Sequence, residues 1–481
     1  MPETRPTTSP HFDAIRSLLG DTGLLTDVSD TASYATDWRG LYQGRALAVA
    51  RPATTPELAA LVRYCCENNI PVVPQGGNTG MCGGATPAPD GTQLVISTSR
   101  MTKLRALDRT DMTMTIEAGV PLKTAQDMAR DAGCWLPLSI SAEGTAQIGG
   151  VLSTNAGGNN TVRFGNARDM VLGLEVVLPD GQIWHGLRRL RKDNTGYCLR
   201  HLFMGAEGTL GIITAAVLKL VPIPRETEVT LCALPSAEAA LDLFARFQAE
   251  DPASLVAFEY MSGTGMDLVL RYIPGVNLPL ADRADHYALI ELSTPRARAG
   301  LRAMLESVLE AAFEDEIVLD AVLADSEAQR LALWKIREEH AEAQKRAGAN
   351  VKNDVSVPVS AAPAFMAQAQ TAVEALIPGI RVAPFGHMGD GNIHFNLIQP
   401  EGADGPGFLA RAHDLMEAVN AVVRQFDGSF SAEHGIGQLK SDMMADWRGG
   451  AELDLMQKIK HAIDPRDLMN PGKLLPPGDQ G

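Results

Sequence analysis

Residues 74–84, PQGGNTGMCGG, decide how this 481-residue sequence is interpreted. The run follows a short apolar stretch at 70–73 and holds five glycines within residues 76–84. A backbone with so few side chains can curve until successive N–H groups point inward, which suits a pyrophosphate. No G-K-[ST] closes the loop as in a Walker A motif, and no G-x-G-x-x-G opens a helix as in a Rossmann fold. Glycine content alone fits a structural cluster of turns equally well.

A second glycine-rich segment, residues 139–158, favours the ligand-binding interpretation. It reads SISAEGTAQIGGVLSTNAGG and consists almost entirely of small residues. Its backbone can therefore run along a flat cofactor at contact distance. Predicted strands at 94–96 and 114–116 and a predicted helix at 121–132 separate the two segments. Two bare segments joined by such a unit indicate one long ligand that spans both.

The elements around these segments predict an α+β unit of about 180 residues, within the usual domain size. Its first ordered element is expected at 46–50, as a strand. Residues 54–57, TTPE, form a helix-start signature, and that helix should run to about Asn69. Further strands are expected at 170–178 and 212–220.

Residues 221–224, VPIP, form a natural boundary. Beyond it, strands and helices alternate with little glycine, which predicts a second α+β domain. The predicted strands lie at 226–233, 254–260, 286–292, near 354–358 and at 381–397. The predicted helices lie at 236–250, 296–312, 326–347, 405–426 and 451–463.

The composition narrows the class of protein. A net charge of −16, from 42 Lys and Arg against 58 Asp and Glu, argues against a nucleic-acid-binding protein. An anionic substrate would therefore need local cations. The six cysteines show neither C-x-x-C nor zinc-finger spacing. The first residues lack a signal-peptide core, and no apolar run is long enough for a membrane span. These features together predict a cytoplasmic protein.

Residues 385–396, FGHMGDGNIHFN, contain the sharpest local geometry in the sequence. The dipeptide at 390–391 is Asp-Gly, a strong signal for a two-residue hairpin turn. With that turn, His387 faces His394 directly, and directly opposed residues have Cβ atoms about 4.5–5.5 Å apart. Asn396 lies two residues beyond His394 and so shares its face. The pair suits two metal ligands; the alternative is a solvated hairpin with incidental histidines.

Residues 431–437, SAEHGIG, add a carboxylate and an imidazole before a Gly-x-Gly break. Consecutive strand residues point to opposite faces, so Glu433 and His434 share a site only if the backbone turns there, which the glycines permit. With the two histidines, Glu433 gives a His/His/Glu set typical of catalytic zinc with one open position. His434 then remains for acid–base chemistry. A metallohydrolase that uses metal-bound water would have the same set, so that class stays open.

Two lone cations are candidates for binding an anionic substrate. Arg337 lies on the predicted helix 326–347, where i,i+4 charge pairs make a solvated face the simpler interpretation. Lys352 instead opens the predicted strand near 354–358. Residues 188–192, RRLRK, are a charge run that we assign to solvent rather than to nucleic-acid binding.

Several long motifs occur in order along nearly the whole chain, from about residue 30 to residue 475. They are PQGGNTGMCGG, SISAEGTAQIGG, KDNTGY, GAEGTLGIIT, KNDVSVPV, GHMGDGNIHFN, SAEHGIG and LMNPGKLL. With these motifs the sequence resembles the FAD-linked D-2-hydroxyacid dehydrogenases, which are flavoproteins of the vanillyl-alcohol-oxidase type. Within that family it is most similar to the D-2-hydroxyglutarate dehydrogenases.

The resemblance implies an α+β fold, with a two-part FAD-binding domain of the vanillyl-alcohol-oxidase (PCMH) type and a ferredoxin-like α+β cap. It assigns residues 1–224 to the FAD-binding domain, 225–435 to a substrate-binding cap that carries the metal site, and 436–481 to a segment that returns to the FAD domain. FAD is expected to be non-covalent, because the glycine-rich loop contains no histidine. The implied cofactor-binding residues are Gln75, Gly76, Gly77, Asn78, Thr79, Gly80, Gly83, Ser139, Gly144, Thr145, Gly149, Ser153 and Asn470.

The resemblance also implies the roles of the polar candidates. The implied metal ligands are His387, His394 and Glu433, the catalytic base is His434, and the substrate-binding residues are Arg337, Lys352 and Asn396. The implied reaction is the metal-dependent oxidation of a D-2-hydroxyacid to the 2-oxoacid, with hydride transfer to flavin N5. The resemblance favours D-2-hydroxyglutarate as the substrate and 2-oxoglutarate as the product. The His/His/Glu set favours Zn²⁺, with Mn²⁺ or Co²⁺ as alternatives.

One position departs from the D-2-hydroxyglutarate enzymes. Ala341 stands where they carry threonine, four residues after Arg337. The missing hydroxyl makes D-lactate or another D-2-hydroxyacid the alternative substrate. The resemblance further implies electron-transfer flavoprotein or a quinone-linked carrier as the electron acceptor, and a homodimer is one option for the assembly.

Overall fold

The computed structural model describes residues 10–476 and divides into two units. Of the described residues, unit 1 contains 10–156, 166–222 and 433–476, whereas unit 2 contains 157–165 and 223–432. The predicted 1–224 domain thus includes a segment, 157–165, that belongs to unit 2, because its short helix packs on a strand of that unit. Unit 1 also resumes three residues before the predicted position 436.

Helices and strands are numbered here in chain order. As far as residue 222 they are α1 (Pro10–Leu19), β1 (Leu24–Leu25), α2 (Val28–Ala35), β2 (Ala48–Ala50), α3 (Thr55–Glu67), β3 (Val72–Gln75), β4 (Leu94–Ser97), β5 (Leu104–Asp108), β6 (Thr113–Glu117), α4 (Leu122–Asp131), β7 (Cys134–Trp135), α5 (Ile148–Ser153), α6 (Thr161–Phe164), β8 (Val171–Val177), β9 (Ile183–Gly186), α7 (Arg200–Phe203), β10 (Ile212–Lys219) and β11 (Val221–Pro222).

From residue 223 onward they are β12 (Glu226–Leu234), α8 (Ala237–Glu250), β13 (Leu255–Ser262), α9 (Gly263–Tyr272), β14 (His286–Thr294), α10 (Leu301–Glu314), β15 (Asp320–Leu323), α11 (Glu327–Glu338), α12 (His340–Arg346), β16 (Asn350–Val351), β17 (Asp354–Ser356), α13 (Ala362–Leu376), β18 (Arg381–His387), β19 (Asn392–Ile398), α14 (Gly405–Leu409), α15 (Ala412–Gln425), α16 (Met444–Arg448) and α17 (Ala451–Ile463).

The predicted helix start at residues 54–57 is confirmed by α3. Thr54 is the N-cap residue, and its hydroxyl oxygen accepts a hydrogen bond from the Glu57 N–H at 3.3 Å. The apolar face of α3 is buried in a core that it shares with α1 and with strands β2, β3 and β4. The expectation that order begins at residue 46 is wrong, because the earlier helix α1 buries Phe12 and Ile15 in the same core.

In the described part of unit 1 there are two main sheets. One has the order β1-β2-β4-β3, with β2, β4 and β3 parallel, and the other is antiparallel with the order β5-β6-β10-β8-β9. The C-terminal segment returns to the first sheet, where Met469 forms a parallel bridge with Val72 beside β3. The Val72 N–H donates to the Leu468 carbonyl at 2.8 Å, and the Asn470 N–H donates to the Val72 carbonyl at 2.8 Å.

Within residues 223–432, one antiparallel sheet organises unit 2, with the order β15-β12-β14-β13-β18-β19-β16. The first four strands occur along the chain in two units, β12-α8-β13 and β14-α10-β15. Their order across the sheet is β15-β12-β14-β13, which is the ferredoxin-like arrangement. The β18–β19 hairpin extends this sheet, and β17 pairs with β19 as well. Helices α9 and α11 pack on the face that carries Glu259 and Glu291, whereas α8 packs on the opposite face through Phe244 and Phe258.

Two predicted helices of unit 2 are interrupted. The predicted helix 326–347 is two helices, α11 and α12, with the break at Glu339, and the predicted helix 405–426 is α14 and α15. Helix α9 was not predicted, because the glycines at 263 and 265 are unfavourable in a helix. The helix begins at an N-cap, where the Ser262 hydroxyl oxygen accepts a hydrogen bond from the Gly265 N–H. Among residues 10–476, none of the helices combines the length and the apolar character that a membrane crossing requires.

Candidate active site

The first glycine-rich loop begins where β3 ends, at Gln75. The Gln75 side chain is buried, and its amide donates to the carbonyls of Tyr34 (2.9 Å) and Ala85 (2.8 Å). Asn78 has a positive φ of 53° and donates its side-chain amide to the Thr36 carbonyl at 2.8 Å. These two predicted cofactor-binding residues therefore use their side chains to hold the loop, which leaves its main chain to face a ligand.

The two predicted glycine-rich segments lie against each other. A Cβ atom added at Gly77 would lie 2.0 Å from the Thr145 carbonyl oxygen, so only glycine permits this approach. A Cβ at Gly149 would lie 2.8 Å from the Cβ of Ala118. By contrast, a Cβ at Gly80 or at Gly144 meets no described atom within 4 Å. The segments thus form a cradle that is closed where they meet and open elsewhere.

The C-terminal segment adds Asn470 to the edge of this cradle. Its side-chain amide donates to the carbonyls of Gly84 (2.9 Å) and Glu207 (2.7 Å), with its own backbone at a positive φ of 47°. The amide oxygen is buried and has no hydrogen-bond partner among the described residues. Such an orphan acceptor fits a donor on a bound ligand. Nearby, burial lowers the pKa of Lys473 to about 8.

The remaining predicted cofactor-binding residues make fewer contacts. Gly83 has a positive φ of 67°, and a Cβ there would collide with the ring of Tyr42. The Ser153 hydroxyl donates to the Gly149 carbonyl at 2.7 Å and so is used within α5. Gly76 lies near the side chain of Gln147, while Thr79 and Ser139 are half-buried.

Glu207 organises the backbone that follows His434. Its partly buried carboxylate accepts from the Ile436 N–H at 2.7 Å and from the Gly437 N–H at 2.8 Å, although desolvation raises the pKa of Glu207. His434 Nε2 lies 3.8 Å from Glu433 Oε1, and the imidazole is one-quarter exposed. The Gly-x-Gly break therefore does turn the chain so that this carboxylate and imidazole are neighbours.

The histidine hairpin of unit 2 has a different register from the predicted one. We expected a two-residue turn at 390–391 that pairs His387 with His394, but β18 and β19 pair His387 with Asn392. The reason is a longer turn over residues 388–391, which contains a short 3₁₀ segment and ends on a glycine at φ 82°. The two histidines still share one sheet face as diagonal neighbours, with ring centroids 5.7 Å apart.

Glu259 of β13 connects two of the predicted site residues. It is fully buried, and its Oε1 lies 2.7 Å from His387 Nδ1 while its Oε2 accepts from Arg337 Nε at 2.7 Å. Burial alone would raise the pKa of this carboxyl, but His387 and Arg337 outweigh it and lower the pKa of Glu259 to about 2. The charged state of the carboxylate is therefore set by these two neighbours.

Arg337 is not on a solvated face. Its side chain is 8% exposed, and its guanidinium carbon lies 4.8 Å from the ring centroid of Phe385. Only Nε is hydrogen-bonded in the described structure, so both Nη groups of the fork remain for a ligand. The feature that overrides the charge pattern is Glu259, which lies far away in sequence.

Asn396 and Lys352 lie on the same part of the sheet. Asn396 is buried, and its amide donates to Gln344 Oε1 at 2.8 Å. Lys352 lies between β16 and β17, whose pairings with β19 are continuous in register, so it is level with Asn396. Asp354, two residues after Lys352, is paired with His394 in the strand register, and 3.6 Å separate Asp354 Oδ1 from His394 Nδ1.

The structure thus assembles the candidates in two groups. The glycine segments as far as Ala156, together with Asn470, Glu433 and His434, belong to unit 1. Arg337, Lys352, Asn396 and the two histidines belong to unit 2. Sequence reasoning missed Glu207 and Glu259, and each is a lone acid within an apolar or glycine-rich stretch (GAEGTLG and LVAFEYMS). A charged residue in such a stretch needs a buried partner, which is the signal that was available.

Comparison with known proteins identifies two family domains along the chain. A model of an FAD-binding domain matches residues 46–186, and a model described as the C-terminal domain of FAD-linked oxidases matches residues 223–474. The D-2-hydroxyglutarate dehydrogenase of Xanthomonas citri pv. viticola is 37% identical over 97% of each chain. The chain belongs to the FAD-linked oxidases. The mitochondrial D-2-hydroxyglutarate dehydrogenase of Bos taurus is 35% identical over 94% of this chain and 81% of its own.

A further relative of this FAD-linked oxidase carries a different substrate in its name. A mitochondrial protein of Schizosaccharomyces pombe, provisionally named a D-lactate dehydrogenase, is 34% identical over 95% of this chain and 88% of its own. Among solved structures, p-cresol methylhydroxylase with bound substrate superposes with a TM-score of 0.72 over 97% of both chains at 15% identity. The fold is therefore the PCMH type. The protein is an FAD-dependent oxidoreductase that acts on CH–OH donors, with a D-2-hydroxyacid as its class of substrate.

Proposed function

We propose that this FAD-linked oxidase converts D-2-hydroxyglutarate to 2-oxoglutarate, and that it uses non-covalently bound FAD and a divalent metal ion. Zn²⁺ is the favoured metal. The observation that supports a dicarboxylate most is Arg337, a buried arginine whose Nη groups have no hydrogen-bond partner among the described residues. Burial of such a cation is costly unless an anion compensates it. Glu259 engages only its Nε, and the unused fork has the geometry that a carboxylate binds bidentately.

The glycine cradle of unit 1 fits FAD. Main-chain N–H groups of residues 76–83 would hold the pyrophosphate, since the side chains of Gln75 and Asn78 are already used within the loop. The amide oxygen of Asn470 is buried without a hydrogen-bond partner among residues 10–476, and it would accept a hydrogen bond from the flavin. FAD supplies the acceptor for the C2 hydride, at flavin N5. Electron-transfer flavoprotein or a quinone-linked carrier is the proposed final electron acceptor.

The proposed metal ligands are His387, His394 and Glu433. The two rings share one face of the sheet, and Glu259 holds Nδ1 of His387, which leaves the metal-ligating role to Nε2. Glu433 directly follows Ala432, whose N–H donates to the Asp354 carbonyl at 3.2 Å. This anchor supports Glu433 as the third ligand. A bound divalent cation supplies Lewis-acid activation of the C2 hydroxyl.

The other polar residues would handle the substrate and its proton. His434 would accept the hydroxyl proton, and Asn396 would contact the substrate near the metal. Arg337 and Lys352 would bind the carboxylate that is distant from C2. D-Lactate has no such carboxylate, and Ala341 in place of threonine removes one hydroxyl donor, so D-lactate oxidation is the second candidate. A metallohydrolase with the same ligand set has no support from the FAD-binding family match.

A substrate panel tests the proposal. We expect Arg337→Ala to reduce kcat/KM for D-2-hydroxyglutarate roughly ten- to hundredfold, because a charge-assisted hydrogen bond contributes about 1.5–3 kcal/mol. The same variant should leave kcat/KM for D-lactate near the parent value. Rates are measured with an artificial acceptor dye, and the ratio of the two substrates cancels any loss of folded protein.

Arg330→Ala is the matched control, because Arg330 lies on the same helix and pairs only near the surface, with Glu327 and Glu291. Arg330→Ala should leave kcat/KM for both substrates at the parent value. An equal loss on both substrates in Arg337→Ala would remove the main support for a dicarboxylate, since the arginine would then bind the C1 carboxylate or only stabilise the fold.

A further inference from the structure

Glu259 is the most completely buried charged residue described in unit 2, with no solvent exposure. It lies in the middle of β13, LVAFEYMS, and all eight residues of that strand are buried. A carboxylate with no exposure is retained only where donors compensate its lost hydration. Here the two donors are the proposed metal ligand His387 and the proposed substrate-binding residue Arg337, each at 2.7 Å. One buried group therefore contacts both halves of the proposed site.

The contact with His387 decides which ring nitrogen is available. A carboxylate oxygen can only accept, so the 2.7 Å contact requires the proton of a neutral imidazole to reside on Nδ1. The lone pair is then on Nε2, the atom through which this tautomer would ligate a metal ion. Strand pairing supports this arrangement, because Glu259 and His387 are directly opposed in the β13–β18 register.

The contact with Arg337 fixes the orientation of the guanidinium. Glu259 Oε2 holds Nε at 2.7 Å, and Phe385 supports the flat face of the group with 4.8 Å from its centroid to the guanidinium carbon. These two contacts hold the guanidinium through Nε and through its flat face, and the described structure shows no hydrogen bond from either Nη group to Glu259. The two carboxylate oxygens are thus divided, one for each neighbour.

We propose that Glu259 is a positioning residue that sets the His387 tautomer for metal binding and aims the Arg337 fork at the distal substrate carboxylate. This inference rests on the proposed function, in which His387 binds a divalent cation. A single acceptor group then links metal affinity to dicarboxylate recognition. Replacement by glutamine breaks that link, because an amide offers one acceptor and one donor and so cannot satisfy both neighbours.

The experiment measures Zn²⁺ binding and steady-state kinetics in Glu259→Gln. We expect the Zn²⁺ affinity to fall about 10- to 100-fold, as outer partners of ligating histidines typically contribute. KM for D-2-hydroxyglutarate should rise, and saturating Zn²⁺ should restore kcat more fully than KM, because the arginine stays misaligned. Glu291→Gln is the matched control, since Glu291 is a mostly buried acid, 13% exposed, on the neighbouring strand β14, and it accepts a hydrogen bond at 2.6 Å from Trp334 of α11, the helix that carries Arg337. It should leave Zn²⁺ affinity and KM unchanged.

A second measurement needs no variant at position 259. Nitrogen-15 spectra of histidine-labelled, metal-free wild-type protein should show His387 as the Nδ1–H tautomer, with His387→Asn used to assign the signal. An Nε2–H tautomer, or a Glu259→Gln protein that binds Zn²⁺ like the parent while His387→Ala does not, would overturn the inference alone. A wild-type protein that takes up no Zn²⁺, or takes it up equally in His387→Ala, would instead overturn the metal site of the proposed function.

Discussion

The two units build their candidate sites from different materials. In unit 1 the cradle is main chain, and the glycines at 77 and 149 are needed because other segments touch them. In unit 2 the site consists of side chains on one sheet face, where Glu259 and Arg337 are charged and almost completely buried. A main-chain site tolerates no added atom where segments meet, whereas a side-chain site depends on the pairing of donors and acceptors.

This difference suits the two ligands that the sites are proposed to hold. A pyrophosphate spreads its charge over several oxygens, and a curve of N–H groups matches it without buried ions. A metal ion and a small carboxylate are compact charges that require particular atoms at particular places. Substitutions should therefore fail for steric reasons in unit 1 and for electrostatic reasons in unit 2.

Gly77→Val should have the largest effect. A Cβ at this position lies 2.0 Å from the Thr145 carbonyl oxygen, so the two glycine segments must separate and the FAD cradle is lost. We expect purified protein without yellow colour, measured as flavin absorbance per mole of protein. Ala311→Val is the control for an added side chain, because Ala311 is exposed on helix α10 of unit 2, and that variant should keep its flavin. Full flavin content in Gly77→Val would contradict a cradle made by close approach of main chain.

His387→Ala and His394→Ala should each abolish metal binding and turnover but keep the flavin, since the histidines and the glycine segments belong to different units. Each change removes one of the proposed ligands, so we expect the purified variants to contain no bound Zn²⁺. Metal content and flavin absorbance are measured on the same samples. His185→Ala is the control, because its side chain is 71% exposed. If only one of the two variants lost its metal, His387 and His394 would not both be ligands of the same ion.

The sequence predicts local features of this fold better than tertiary ones. The cap of α3 depends on residues 54–57 alone, and the helix begins where that signature predicts. The break between α11 and α12 at Glu339 has no proline or glycine to announce it. Its neighbour His340 is fully buried and stacks on Phe385, a contact with a distant strand. Tertiary packing therefore overrides a helical pattern that looks continuous.

The candidate site shows the same limit. The shared face of His387 and His394 follows from strand periodicity, but their register does not, because Asp-Gly can close a turn of two residues or end a longer one. Arg337 was assigned to a solvated face by its charge pattern, and only the resemblance pointed to substrate. Its burial depends on Glu259, 78 positions away in sequence. No local pattern contains that pairing.

His340 gives unit 2 a specific sensitivity to acid. Burial, with a smaller contribution from Arg337, lowers the pKa of His340 to about 3, and neither ring nitrogen has a partner among the described residues. The unfolded imidazole titrates near its ordinary value of 6.5, so between pH 6.5 and 3 the unfolded state binds the extra proton. The stability associated with this group is complete above pH 6.5 and is lost as pH falls, by about 2 kcal/mol at pH 5.

His340→Leu should remove this dependence. Urea unfolding at pH 8 and pH 5 is compared for parent and variant, and we expect the variant to lose about 2 kcal/mol less between the two pH values. The exposed His185→Leu serves as the control and should follow the parent. Identical pH dependence in parent and His340→Leu would mean that the imidazole is hydrated in the native state.

Ala341→Thr should have the smallest effect and bears on substrate choice. The residue lies four positions after Arg337, at the start of α12, and packs at the edge of the core that includes Phe385. A new hydroxyl that reaches a distal carboxylate adds about 0.5–1.5 kcal/mol, so kcat/KM for D-2-hydroxyglutarate should rise about two- to twelvefold. D-Lactate should be unchanged, because it lacks that carboxylate.

Ala341→Val is the control that isolates the hydroxyl, since valine has nearly the shape of threonine without the donor and similar helix propensity. If the threonine and valine variants show the same kcat/KM for both substrates, the shape of the side chain, and not hydrogen bonding, decides selectivity at this position. If threonine improves neither substrate, water already fills the place of the hydroxyl, and Arg337 with Lys352 suffices for the dicarboxylate. A gain for D-lactate in Ala341→Thr would contradict the placement of the distal carboxylate beside α12, because the hydroxyl would then lie near C1 or C2. The side-chain site of unit 2 would in that case be arranged around the reacting end of the substrate alone.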